Sequence, residues 1–140
     1  MIKAWLAQLG IARCDESQEA FILSVVDGPE IIVEREVGAW LMAARVGPCP
    51  SDLSQGTWLV LLQINGPFSP MLPFHITTDT RGEILLWVRL LESEIDIALL
   101  TRRYEALQEY YAYLHGLLYK DKPQNVPNVP RMASGAMQFV

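Results

Sequence analysis

The chain has 140 residues, 51% of them hydrophobic and 19% charged, a balance that excludes disorder over most of its length and suits one domain burying about two-thirds of its unfolded surface. Its formal net charge of −5, with only eleven Lys and Arg, excludes the basic footprint that nucleic-acid binding needs and disfavours an anionic membrane surface. No stretch approaches the ~20 apolar residues of a membrane span, and the opening residues lack the apolar core and cleavage site of a signal peptide, so a cytosolic protein without membrane insertion is expected.

Ile2, Trp5, Leu6 and Leu9 recur at the spacing of one helical face, and Gly10 is placed to end that helix. Turn signals at Asp27-Gly28-Pro29 and Val37-Gly38-Ala39 then divide a β-branched and aromatic stretch into three strands, about Phe21 to Val26, Glu30 to Val37 and Ala39 to Val46. The first is apolar on both faces apart from Ser24. The second sets Ile31, Val33 and Val37 opposite Glu34 and Glu36.

Pro48 and Pro50 break the sheet, and Ser51 and Ser54 are candidate helix caps. Thr57 to Asn65 follows; periodicity alone does not separate a buried helix from a strand here, and the segment is read as a helix. Pro67, Pro70 and Pro73 make the next loop irregular. A hairpin follows, with its turn near Asp79 to Gly82. In its second strand the odd positions (Leu85, Trp87, Leu91) and the even positions (Ile84, Leu86, Val88, Leu90) are both apolar, which asks what covers the second face.

Ser93 and Asp96 make a capping-box-like start to a long helix whose Leu100, Tyr104, Leu107, Tyr111, Leu114 and Leu118 follow the 3.6-residue period. Beyond Lys120 three prolines, two asparagines and no periodicity predict a mobile tail over 120–140, leaving 1–119 as the domain. The order α-β-β-β-α-β-β-α predicts an α+β fold, an antiparallel sheet of about five strands with three helices.

The search for chemistry yields little. No GxxxxGK, GxGxxG, HExxH or GxSxG string occurs. His75 falls in a predicted strand and His115 on the last helix, neither with a carboxylate or cysteine at ligand spacing. Cys14 and Cys49 are far apart and fit free thiols in a reducing compartment. The acidic cluster from Asp15 to Glu19 reads as a solvated loop, and Arg102 and Arg103 as the polar face of the last helix. No catalytic residue, metal or cofactor is therefore expected. Trp5, Trp58 and Trp87 lie within apolar patterns and belong to core or interface. Apolar surplus remains on the first helix, the first strand, residues 58–62 and the last strand; association, most simply as a two-fold dimer, is its physical remedy.

The order of elements and several local strings resemble the class I chaperones of bacterial type III secretion systems, the family of the Tir chaperone. Leu61-Leu62-Gln63-Ile64-Asn65 is similar to that family's Leu-Leu-Glu-Ala-Asn string at the end of the second helix, and Ile76 to Asp96 resembles its strand, Asp, Gly-containing turn, strand and acidic helix start. The resemblance covers residues 1–119. Gly56 and Trp58, the Pro-rich loop and the tail after Lys120 depart from the pattern. It implies a homodimer formed through the second helix and neighbouring strand, here Trp58, Leu59, Leu62, Leu86 and Val88. It further implies that the extended N-terminal segment of a secreted effector lies in grooves of the first helix and sheet, here Ile2, Trp5, Leu6, Phe21, Leu23, Ile32 and Val33. It implies neither nucleotide nor metal. Two other readings fit the residues: a related-fold adaptor or regulator binding a secretion component, and, less well, a small ligand-binding protein or enzyme with its site beneath the Pro-rich loop.

Overall fold

A computed structural model of the chain describes residues 1–11 and 17–119. Cys14, Asp15, Glu16 and the tail expected at 120–140 lie outside the described residues. The elements run α1 (Ile2–Gln8), β1 (Ala20–Ser24), β2 (Glu30–Glu36), β3 (Ala39–Pro48), α2 (Gln55–Ile64), β4 (His75–Thr78), β5 (Glu83–Leu91) and α3 (Ile97–Tyr119). The strands form one antiparallel sheet in the order β1-β2-β3-β5-β4, so the expected α+β fold of three helices and five strands is present.

Because side chains alternate across a strand, one set from each strand builds the core. Phe21 and Leu23, Ile31 and Val33, Met42 and Ala44, Ile76, and Ile84, Leu86, Val88 and Leu90 all point to the face that carries the helices. α3 closes this layer with Leu100, Leu107, Leu114 and Leu118. α1 is locked by Trp5 and Leu6, both fully buried, with the Trp5 ring edge-on to Tyr104 at 5.5 Å.

Local chemistry sets the ends. The Ser54 hydroxyl accepts the Thr57 N–H, so α2 starts two residues earlier than its apolar run and is a helix, despite Gly56. α3 starts at Ile97, later than Ser93 suggests, because Asp96 is the residue that caps it, its carboxylate accepting the Leu99 N–H at 2.6 Å. The Asp79 carboxylate accepts the N–H groups of Arg81 and Glu83, pinning the β4–β5 turn where the sequence places it. The Glu83 N–H foremost, with the Arg81 N–H and the charges of Arg45 and Arg81, holds its pKa below the ordinary carboxylate value, against desolvation that works the other way. Val37 is not the core residue its parity suggests; it sits in the β2–β3 turn, almost fully exposed.

A bulge between Arg45 and Gly47 shifts the β3–β5 register. There Gly47 (φ 143°) lets the Tyr119 ring close over the strand, and the Tyr119 hydroxyl donates to the Pro48 carbonyl at 2.7 Å. Burial first, then the neighbouring Cys49, Glu83 and Tyr111, push the Tyr119 pKa up to about 12.

Candidate interaction surfaces

Two apolar surfaces remain once the core is closed. The first is a groove of about 320 Å³ where the N-terminus of α1 meets one end of the sheet, floored by Ile2, Phe21, Trp40 and Ile95. Phe21 and Trp40 stack with ring centroids 6.2 Å apart and planes at 28°. Lys3, Gln18 and an Arg35–Glu92 ion pair of 3.2 Å make its rim. An apolar floor with a charged, hydrated rim suits an apolar side chain carried on a polar backbone.

The second is the outer face of the sheet. Register aligns an apolar row of Ile22, Ile32, Ala43, Trp87 and His75 across all five strands. It is flanked by rows of Glu34, Leu41 and Arg89 and of Arg45, Leu85 and Thr77, which with Ile32, Ala43 and Trp87 of the central row line an open hollow of about 530 Å³. Trp87 Nε1–H donates to the Thr77 hydroxyl, and its ring lies 5.1 Å from that of His75. Among the described elements the helices pack on the opposite face, and α2 lies against β4. There Trp58 (47% exposed), Leu59 (51%) and Leu62 (67%) point to solvent while Leu61 and Ile64 hold the helix down.

The residues expected from sequence divide accordingly. Ile2 and Phe21 come together in the groove. Trp5, Leu6 and Val33 are fully buried in the core that carries α1, and Leu23, no more buried than Ile2 and Phe21, lies outside the groove. Ile32 belongs to the outer face, its neighbours in sequence pointing inward. For the expected dimer contact, Trp58, Leu59 and Leu62 are exposed, but Leu86 and Val88 are fully buried against the helices and offer nothing to a second subunit. The members of that strand that line the outer hollow are the half-buried Leu85 and Trp87 and the exposed Arg89. Trp40, Arg35, Lys3 and Ile95 of the groove and Leu41, Ala43 and Leu85 of the outer face were not picked out by sequence. A signal for the outer face exists: Glu34, Arg45 and Arg89 share its parity on their strands.

Among the described residues no three His, Cys, Asp or Glu side chains converge as a metal would require, and no helix is long and apolar enough to cross a membrane. Cys49 is a half-buried free thiol.

No family model matches the chain, and neither does any curated protein. Solved structures do. The SpcU chain of the heterodimeric ExoU–SpcU complex from the type III secretion system of Pseudomonas aeruginosa is 35% identical with a TM-score of 0.79, the match covering 86% of this chain and 100% of that one. The Yersinia pestis type III secretion chaperone SycH, solved with a stable fragment of YscM2, is 16% identical with a TM-score of 0.63, over 80% of this chain and 94% of that one. The ExsC–ExsE complex matches at 13% identity and a TM-score of 0.68, over 84% and 91%. The last two show the fold. The first, identical at more than a third of matched positions over that chain's whole length, settles descent: the chain belongs to the class I type III secretion chaperones.

Proposed function

We propose that this chaperone holds the extended N-terminal segment of a secreted effector in the bacterial cytosol, keeping it soluble and fit for export, and that it does so as a homodimer without catalysis of its own. The observation that carries the reading is the α1 groove, where the half-buried Trp40 and Ile95 stay accessible beside the buried Ile2 and Phe21, Trp40 stacked on Phe21, within a polar rim. The SpcU match, from a complex with ExoU, supports it. Ile2, Phe21, Trp40 and Ile95 take apolar client side chains, and Lys3 and the Arg35–Glu92 pair meet the client's polar backbone. The edge strand β1, next to the groove, adds main-chain hydrogen bonds. Trp58, Leu59 and Leu62 of α2, with Leu85 and Trp87 of the outer face, form the contact between subunits.

Ordering an extended client costs several kcal/mol, so one groove is too small a return and a long path over two subunits is needed. The test is to isolate the tagged chain from its own bacterium, measure the mass of the complex and map the protease-protected client segment. Two copies of the chain with a protected N-terminal stretch, lost on Trp40→Asp, is the expected result. A lone chain with no client, or a protected folded domain, overturns the reading.

A further inference from the structure

The sheet has two edges, and they are finished differently. In an antiparallel ladder each residue turns its N–H and C=O together, alternately toward and away from the neighbouring strand. On β4 the outward residue at the centre is Ile76. Asn65, at the C-terminal end of α2, holds both its groups: Asn65 Oδ1 accepts the Ile76 N–H and Asn65 Nδ2 donates to the Ile76 C=O, each at 2.7 Å. The Phe74 N–H just before the strand bonds the Met71 C=O at 2.8 Å. Within the strand itself only Thr78, beside the turn, keeps outward groups unclaimed by a described residue. On β1 the Ala20 C=O takes Gln18 Nε2–H, but Ile22 at the centre has no such clasp among the described residues.

A side-chain amide sets an N–H donor and a carbonyl acceptor side by side on a rigid plane, which is what the N–H and C=O of a single strand residue require. The Asn65 amide thus makes the bonds an incoming strand would make. We infer that Asn65 is an edge lock, a specificity-determining residue that shuts β4 to strand addition by a client or by a second copy and leaves β1 as the receptive edge. An unlocked edge is a template for pairing, and a four-residue strand lacks the charges or proline that blunt other edges. The lock stands on geometry alone; only its consequence for a client rests on the function proposed above.

The test therefore needs no client. The full chain is compared with Asn65→Ala, and with Asn65→Ala combined with Thr78→Pro, by light scattering over a concentration series and by hydrogen exchange of the Ile76 amide. Losing the clasp is expected to speed Ile76 exchange on the order of tenfold and to produce concentration-dependent species larger than the wild type. Thr78→Pro, which removes an outward N–H and spares the pairing with β5, returns the mass to the wild-type value. Fast Ile76 exchange with unchanged mass overturns the lock, as does unchanged exchange. Should the alanine variant fail to fold, Asn65→Ser, too short to clasp Ile76, is read by the same two outcomes.

Discussion

Leu86 and Trp87 are consecutive on β5 yet belong to opposite faces, and truncating each should break a different property. Leu86 is fully buried between Ala44 and Ile76 of the flanking strands. Leu→Ala in a core costs about 2–5 kcal/mol, and the centre of a five-stranded sheet has little freedom to collapse into the cavity, so we take about 3–5 kcal/mol. Against a total stability of about 5–15 kcal/mol this is a large fraction. At roughly 4 °C per kcal/mol, Leu86→Ala should lower Tm by about 12–20 °C. Trp87 is half-buried, with one hydrogen bond to Thr77; Trp87→Asp should cost roughly 1 kcal/mol of fold stability but drive the proposed homodimer to monomer. Thermal melts at one fixed protein concentration, paired with light scattering, read both. If Leu86→Ala alters the mass of the folded protein and spares Tm, while Trp87→Asp does the reverse, the assignment of faces is wrong.

Three further outcomes follow from single contacts. The Asp79 pKa is lowered in the folded state, so its contribution is present above the ordinary carboxylate range and is lost as pH falls through the folded value; Asp79→Asn should flatten the acid limb of Tm against pH, and superimposable limbs would remove that role. Gly47→Ala would set a Cβ 2.8 Å from the Tyr119 hydroxyl at a φ of 143°, so a loss of roughly 1–3 kcal/mol is expected in denaturant unfolding, partly recovered by adding Tyr119→Leu. Asp96→Ala should cost about 1 kcal/mol through the lost cap of α3, and Asp96→Asn, which still offers an oxygen to Leu99, should restore most of it.

Where local chemistry decides, sequence is a good guide. The Asp79 turn, the helical period of α3 and the punctuation of β1 to β3 were all legible because each is written within a few residues. The parity of β5 was not, since both its sets are apolar and only Arg89 and Glu83 mark the outer one. The resemblance carried Leu86 and Val88 to the interface, whereas their set faces the helices. Trp5 and Leu6 also came from the resemblance; their apolar helical stripe says only that something covers it, and here α3 does. Trp40 stacks on Phe21 although β2 lies between their strands, and Asn65 meets Ile76 only because α2 ends beside β4. Such contacts belong to the tertiary fold.

The outer face also constrains how the second subunit of the proposed homodimer can sit. Its central row, Ile22, Ile32, Ala43 and Trp87, offers area, while Glu34, Arg45 and the Arg89–Glu36 pair stand to either side. Burying those charges without partners would cost more than the row returns. A subunit docked here gains its affinity from the row and its register from the flanking charges, which stay at the hydrated rim. Ala43→Asp should then dissociate the dimer at any salt concentration. Arg45→Glu should instead slow association and change its salt dependence, leaving the dissociation rate near that of the wild type, because a rim charge acts on encounter more than on the docked state. Stopped-flow association at two ionic strengths separates the two. An Arg45→Glu dimer that dissociates many times faster, with association unchanged, would mean that the charge is buried in the contact and that the subunits meet off the central row.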